Sequence, residues 1–203
     1  MAERSYPDLR SFLAALRARG ELRVVEAPVD AALEVAEIHR RVIAAGGPAL
    51  LFTSVRGADL RLVTNLFGTP ERARLAFGTR PRRLIEGAVH AAETLLPPTA
   101  AGLWGARDLL AAALRTGLRT VRTGPVLEVV SHDADLRRLP VLTSWREDGG
   151  PFVTWPLVYT EHPDGGRHNL GVYRLQVHGP GETGMHWQIG KGGGFHHAAA
   201  AGR

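Results

Sequence analysis

The sequence predicts an α+β fold, with helices concentrated in the first part of the chain and strands in the second. Apolar residues recur at helical spacing until about residue 120. After Gly124-Pro125, β-branched and aromatic runs alternate with turns rich in glycine and proline. The 203 residues, 44% of them hydrophobic, suit one ordinary globular domain or two small ones.

Three helices carry their own start or stop signals. Asp8 is a cap for a helix whose apolar residues follow i, i+3, i+4, i+7 spacing and which ends at Gly20. A second helix is predicted after Asp30, and its amphipathic pattern ends at Gly46. Thr69-Pro70 supplies a cap and a first-turn proline for a third helix.

Five short segments predict strands, because they are apolar or alternating and are bounded by turn residues. The first two are expected to pair across a turn, and the last three to form an antiparallel meander. These segments are 49–52, 61–64, 152–160, 169–178 and 185–189. The change from helical to strand patterns places a domain boundary near residue 122.

The composition excludes several classes of site and partner. Zero cysteines remove disulfides, zinc–thiolate sites and thiol nucleophiles. No apolar run approaches the roughly 20 residues of a transmembrane helix and no signal peptide is recognisable, so a cytoplasmic location is the default expectation. The net charge is +5, but 24 of the 25 basic residues are scattered arginines, and a nucleic-acid partner is therefore not predicted.

Chemistry is predicted near the end of the chain, because six of the nine histidines and eleven of the 24 glycines follow residue 160. Arg174 lies among apolar residues of a predicted strand, which is costly unless its guanidinium meets an anion. An edge position that reaches water is the alternative. Asn169 begins the same strand and either offers its amide oxygen to a hard cation such as magnesium or manganese, or caps a turn.

Lys191 is the single lysine of the chain, and three glycines follow it. Glycine backbone N–H groups approach a phosphate closely while the ammonium adds a charge; a flexible hairpin loop is the alternative. Trp187 offers a flat surface for a ring system, although a strand tryptophan usually belongs to a core. A flavin mononucleotide satisfies all of these conditions.

Two segments near the end of the chain carry a specific resemblance. Residues 169–177 (NLGVYRLQV) and 184–196 (GMHWQIGKGGGFH) resemble the signature of the UbiD family of decarboxylases. The resemblance covers nearly the whole chain, because earlier segments occur in the family's order. They are GPALLF at 47–52, NLFG at 65–68, RLPVL at 138–142 and EDGGPFVT at 147–154.

The resemblance implies a reversible, non-oxidative decarboxylase of aromatic or α,β-unsaturated acids. Such an enzyme uses prenylated FMN made by a separate flavin prenyltransferase, and is expected to be a homo-oligomer at full length. Residues 1–122 are then an N-terminal α/β domain, and residues 123–203 the first part of a split β-barrel domain that binds the cofactor. A polyprenyl-hydroxybenzoate of ubiquinone biosynthesis is the substrate this resemblance suggests, with other aromatic acids open.

The resemblance also implies roles for individual residues. Asn169 matches a manganese ligand, with the metal bridging to the cofactor phosphate and potassium as a further cation. Arg174 matches a catalytic arginine that acts with acidic residues beside the reactive ring. The cofactor-contacting positions are Val172, Tyr173, Arg174, His186, Trp187, Gln188, Lys191 and Gly192, with Thr154 as a weaker match.

The spacing of Asn169 and Arg174 places a condition on the strand between them. A regular strand would put residues five apart on opposite faces, separated by roughly 16 Å. Both serve one cofactor only if the chain departs from regular geometry. We therefore predict an irregularity at Leu170-Gly171.

The chain also departs from the family pattern. Family members are typically more than twice as long, and their second metal ligand and acidic proton donor come from later segments. We therefore expect the N-terminal portion of such an enzyme, from a truncated sequence, a frameshifted gene or a split enzyme, with an exposed apolar patch. Gly190 stands where some members have a histidine near the metal. The alternative is a genuine product without decarboxylase activity, such as a flavin-binding or interaction module.

Overall fold

The computed structural model describes residues 6–94, 99–114, 121–188, 190 and 192–203. Its helices are α1 (Leu9–Ala18), α2 (Glu34–Ala44), α3 (Pro70–Phe77), α4 (Arg80–Thr94), α5 (Ala100–Gly105), α6 (Arg107–Leu114) and α7 (Gly192–Ala201). Its strands are β1 (Leu22–Val25), β2 (Ala49–Phe52), β3 (Leu62–Thr64), β4 (Phe152–Val153), β5 (Leu157–Glu161), β6 (His168–Val172), β7 (Leu175–Gly179) and β8 (Glu182–Met185). This mixture confirms the predicted α+β class. Within these ranges, none of the helices has the length and apolar character needed to cross a bilayer.

Two compact units make up the chain, and they interleave along it. One combines Met1–Ala15 with Phe67–Ser131, and the other combines Leu16–Leu66 with His132–Arg203. The second unit contains every residue that the sequence singles out for chemistry. The predicted division into domains near residue 122 stays a prediction.

The first unit is helical, and local capping explains where its helices begin. The Asp8 carboxylate accepts a hydrogen bond of 2.7 Å from the Ser11 N–H at the start of α1. The Thr69 hydroxyl accepts one of 3.2 Å from the Arg72 N–H at the start of α3. Both caps are as predicted from the sequence, and each satisfies an N–H group that the first turn of a helix leaves without a backbone partner.

The second unit contains a three-stranded sheet in the order β1-β2-β3. β2 runs parallel to β1 and antiparallel to β3, so the pairing predicted for segments 49–52 and 61–64 is confirmed. Helix α2 begins at Glu34, a few residues after the predicted start, and buries Val35 against the sheet. The buried cluster that results is the main core of this unit: Val29, Val35, Leu50, Phe52 and Val55.

Two predicted strands in the second half of the chain are each divided in two. Segment 152–160 is interrupted at Trp155-Pro156, because proline has no N–H to donate to a ladder. Segment 169–178 is interrupted at Tyr173-Arg174. The predicted single meander is therefore wrong. The strands form two separate sheets, β4-β7-β8 and the hairpin β5-β6.

The glycine-rich segment also differs from the prediction. The strand expected over 185–189 ends at Met185, and Gly192 to Gly194 form the first turn of helix α7 instead of an open loop. Alanines dominate the last part of α7, and alanine has the highest helix propensity. The glycines occupy the end of the helix, where neighbouring side chains come closest to its backbone.

Helix α7 packs on one face of the β5-β6 hairpin. The Thr160 hydroxyl lies 3.0 Å from His196 Nδ1, and the His196 ring meets the His162 ring edge-on at 5.6 Å between centroids. Both histidines are buried. The opposite face of the hairpin is apolar and exposed, as expected for an uncovered patch, through Leu157, Tyr159, Leu170 and Val172.

Buried His162, whose ring contacts His196 of α7, is expected to make the stability of the fold sensitive to acid. Burial lowers the pKa of its imidazole, and the positive charges of Arg167 and Arg203 act in the same direction. The unfolded chain therefore binds a proton at this residue more readily than the folded chain does. Stability contributed by neutral His162 is present at pH 7 and falls as the pH drops below about 6.5, the ordinary pKa of histidine.

His162→Gln is expected to make the free energy of unfolding less dependent on pH between 7 and 5, as measured by urea denaturation. A residual slope will remain, because burial also lowers the pKa of His39. His132→Gln is the control, since that histidine is exposed. A His162→Gln protein that loses stability with acid as steeply as the wild type would contradict this role.

Candidate functional site

Tyr173 lies at the break between β6 and β7, and its hydroxyl joins two parts of the chain. The ring is buried, with 9% of the residue exposed. Its hydroxyl accepts a hydrogen bond of 3.0 Å from Asn169 Nδ2 and one of 2.7 Å from the Gly193 N–H. The start of α7 is therefore held directly against β6.

The glycines of α7 are required by this close approach. A Cβ atom at Gly192 would overlap the side-chain oxygen of Asn169, and one at Gly193 would overlap the rings of Trp187 and Tyr173. Backbone contact this tight excludes every residue with a side chain unless a neighbour moves. The glycine run thus permits the close packing of α7, in addition to any approach of a ligand to its backbone.

Trp187 covers the same region with its indole ring. The ring centroid lies 5.2 Å from that of Tyr173, with the planes tilted by 60°. It also stacks nearly parallel with His197 of α7, at 5.5 Å and 12°. The half-buried indole is thus held between two rings, that of Tyr173 before β7 and that of His197 in α7.

Arg174 follows Tyr173 and forms a second cluster. Its Nη2 donates a 2.8 Å hydrogen bond to Asp148 Oδ2, and its Cζ lies 3.6 Å from the centroid of the Phe152 ring. The hydrogen bond from Arg174 holds the pKa of Asp148 below its ordinary value. The arginine is thus a partly exposed cation that already has one anionic partner, and the predicted need for an anion is met within the chain.

The structure brings four of the predicted site residues together: Asn169, Tyr173, Trp187 and Gly192. Arg174 is adjacent to them in the chain, and its carbonyl accepts a 3.3 Å hydrogen bond from the His186 N–H. Val172 lies on the opposite face of β6 from Asn169, exposed and paired with Leu157.

The remaining predicted positions have less defined surroundings. The side chains of His186, Gln188 and Thr154 are exposed, and Lys191 lies outside the described residues.

The irregularity expected at Leu170-Gly171 is not there, because both residues pair regularly with β5. Regular pairing stops instead at Tyr173-Arg174, and the two side chains make different contacts: Asn169 bonds to Tyr173, and Arg174 bonds to Asp148.

Sequence reasoning missed Asp148, Phe152 and Gly193. A mid-strand arginine signals that an anion is needed, but nothing in the local sequence identifies a carboxylate 26 residues earlier. Phe152 and Gly193 belong to motifs that carry the family resemblance, yet their contacts with Arg174 and Tyr173 depend on the tertiary fold.

The donor groups present suit an anionic, planar ligand. One N–H group of the first turn of α7, that of Gly193, donates to Tyr173, while the other first-turn N–H groups have no partner within the helix. The guanidinium of Arg174 suits a carboxylate or phosphate. The described residues offer fewer groups that could bind a metal ion. Across the described ranges, no group of three His, Cys, Asp or Glu side chains is placed to hold a metal ion, and Asn169 offers one hard oxygen.

Family profiles match most of the chain. Residues 13–92 match the 3-octaprenyl-4-hydroxybenzoate carboxy-lyase N-terminal domain, and residues 119–203 match the Rift-related domain of the same carboxy-lyase. A relative from Chlamydia pneumoniae, named as a subunit of 4-hydroxybenzoate decarboxylase, is 45% identical over 188 residues, which are 93% of this chain and 32% of that protein. The chain spans about a third of the length of the curated relatives it matches.

Solved structures give the same result. The UbiD-class enzyme HmfF from Pelotomaculum thermopropionicum, in complex with FMN, superposes with a TM-score of 0.68 at 28% identity, over 89% of this chain and 37% of the enzyme. An evolved dimeric form of that enzyme, in complex with prenylated FMN, gives a TM-score of 0.61 at 27% identity, over 91% and 39% of the two chains. With these matches and the profiles of both domains, the chain belongs to the UbiD family, and it corresponds to the N-terminal portion of its members.

Proposed function

We propose that this chain is the cofactor-binding portion of a reversible, non-oxidative decarboxylase that acts on an aromatic or α,β-unsaturated carboxylic acid. The observation that carries the proposal is the cluster of Asn169, Tyr173, Trp187 and Gly192 at the start of α7, adjacent in the chain to Arg174. These residues supply an aromatic surface and the N–H groups of a helix start, and the next residue in the chain after Tyr173 is a cation. Prenylated FMN is the cofactor that we assign to this surface.

Holding the cofactor is the first task of these residues. The first turn of α7 and Lys191 would meet its phosphate, while Tyr173 and Trp187 would contact its ring system. His186, Gln188 and Thr154 would complete the contacts from exposed positions, whereas the side chain of Val172 lies on the opposite face of β6 and would not reach this surface. When bound, the prenylated flavin supplies an electron sink for the charge left on carbon by the loss of CO₂.

Arg174 is the catalytic residue of this proposal, and its task is to hold the carboxylate of the substrate. Its guanidinium is partly exposed, so it is accessible to a ligand, and Phe152 covers one of its faces. Asp148 does not return the proton to carbon. Its pKa is lowered by the hydrogen bond from Arg174, so it stays ionised near neutral pH and has no proton to give.

The cations and partners are also proposals. Asn169 would bind manganese, and potassium would be a further cation, with the other ligands supplied from outside the described residues. A flavin prenyltransferase would provide the cofactor, the complete protein would be a homo-oligomer, and its location would be cytoplasmic. The name of the relative from Chlamydia pneumoniae supports a hydroxybenzoate as substrate, and a polyprenyl-hydroxybenzoate of ubiquinone biosynthesis is one such acid.

Co-expression with a flavin prenyltransferase tests the proposal. We expect a purified protein with a bound flavin absorption spectrum, and release of CO₂ from 4-hydroxybenzoate when the later segments that carry the acidic proton donor are also supplied. A bound flavin without CO₂ release or isotope exchange in the presence of those segments would favour the alternative of a non-catalytic flavin-binding module. Absence of any bound flavin, with the chain folded, would contradict both.

Tyr173→Phe is expected to weaken FMN binding about tenfold and to lower the melting temperature. The change removes the acceptor for two N–H groups, and a buried N–H without a partner costs about 1–3 kcal/mol. Fluorescence titration with FMN and calorimetry measure the two effects. The matched control is Tyr159→Phe, because the Tyr159 hydroxyl donates to Glu161 on the exposed face of the hairpin. Equal losses in the two variants would contradict the role of Tyr173.

Gly193→Ala is expected to displace the start of α7 and to weaken FMN binding at least tenfold. The added methyl group meets Tyr173 and Trp187, and overpacking of this kind costs about 1–3 kcal/mol. Gly181→Ala is the control, because a Cβ there has no atom within 4 Å. The same FMN titration decides the result, and wild-type affinity in Gly193→Ala would show that the tight contact is unimportant for binding.

A further inference from the structure

The loop before β4 is built around Asp148. Its side chain has 11% of its surface exposed, and its Oδ2 accepts a hydrogen bond of 3.2 Å from the Trp145 N–H as well as the bond from Arg174. The loop therefore holds the carboxylate through a contact that does not involve the arginine. A group fixed in this way is suited to orient a more flexible partner.

A second contact ties the same loop to the strand that follows Arg174. Gln176 Nε2 donates a 2.7 Å hydrogen bond to the Gly149 carbonyl, and a Cβ at Gly149 would lie 2.9 Å from the same nitrogen. β4 also pairs with β7 through Phe152 and Gln176. The position of Asp148 relative to Arg174 is thus set by backbone pairing and a side-chain bond as well as by the ion pair.

The guanidinium of Arg174 is constrained on two sides. Asp148 engages its Nη2, and Phe152 covers one face at 3.6 Å. Among the described residues, neither its Nε nor its Nη1 has a hydrogen-bond partner. With 37% of the side chain exposed, these N–H groups remain available to a ligand.

We propose that Asp148 is the positioning residue of Arg174. Its carboxylate fixes one edge of the guanidinium, and Phe152 fixes the plane, so that the remaining N–H groups point in one direction toward the carboxylate of the acid to be decarboxylated. This inference rests on the proposed function for the role of Arg174. The orientation of the guanidinium itself is a separate property that can be measured without turnover.

Nitrogen NMR of the guanidinium groups tests the proposal directly in the flavin-loaded protein. Arg174 is assigned by the signal that disappears in Arg174→Lys. In the wild type we expect separate, slowly exchanging Nη signals, because the bond to Asp148 and the Phe152 contact hinder rotation. Asp148→Ala should accelerate that rotation at least tenfold, Asp148→Asn should do so to a smaller extent, and Asp148→Glu should restore part of the hindrance.

Asp135→Asn is the matched control, since Asp135 also accepts a backbone N–H from its own loop and pairs with an arginine, Arg137. It should leave the Arg174 signals unchanged. Unfolding curves identify any variant that is not folded, and the milder Asp148→Asn keeps the comparison possible if Asp148→Ala is not. Averaged Arg174 signals in the wild type, or unchanged signals in both Asp148 variants, would overturn the proposal.

Titration with 4-hydroxybenzoate separates this inference from the proposed function. In the wild type, the probe should shift the Arg174 signals while they remain separate. Hindered signals that depend on Asp148 but do not respond to the probe would contradict the proposed function and support the orientation by Asp148. A response to the probe with a freely rotating guanidinium would contradict the role of Asp148 and support the function of Arg174.

Discussion

The hydroxyl group of Tyr173 is the interaction on which the candidate site depends. It accepts hydrogen bonds from a residue four positions earlier and from another twenty positions later, and so joins β6 to the first turn of α7. Tyr173 follows Asn169 and Gly171 at strand spacing, so its ring lies on the face of the hairpin that α7 covers and takes the space that a Cβ at Gly171 would fill. The helix must begin with glycines because a Cβ atom would prevent the approach.

The break at Tyr173 also separates two chemical environments. Before it, Asn169 faces the start of α7, where amide dipoles and aromatic rings dominate. After it, Arg174 faces a loop that supplies a carboxylate and a phenyl ring. Because Asp148 compensates the charge of Arg174, this pair adds no net charge near the guanidinium. Under the proposed function, selectivity for a carboxylate would therefore depend on the direction of the remaining N–H groups more than on bulk attraction.

Much of the fold could be predicted from local patterns. Asp8 and Thr69 cap helices because their side chains meet N–H groups within the next turn, which is a property of a few adjacent residues. The short strands β2 and β3 follow in the same way from apolar runs bounded by turns. The break at Pro156 was also available in principle, since proline cannot donate to a ladder, but the aromatic and β-branched run around it concealed the break.

The features that sequence reasoning missed depend on contacts between distant segments. Regular pairing ends at Tyr173-Arg174, and the Tyr173 side chain packs under the start of helix α7. The composition of that helix start, three glycines in a row, predicts an open loop and not a helix. Asp148 could not be chosen as the partner of Arg174, because several other carboxylates precede that strand and only the pairing of β4 with β7 selects one. The family resemblance supplied the candidate site residues, while the grouping of four of them could be seen only in the structure.

We propose above that the flavin binds at the start of α7, with its phosphate at the first helical turn beside Asn169 and its ring system against Tyr173 and Trp187. A crystal structure of the protein with FMN tests it most directly. We predict density for the phosphate in contact with the first turn of α7 and beside Asn169, with the ring system toward Trp187. A flavin bound at the exposed face of the β5-β6 hairpin, or anywhere away from the start of α7, would contradict the account.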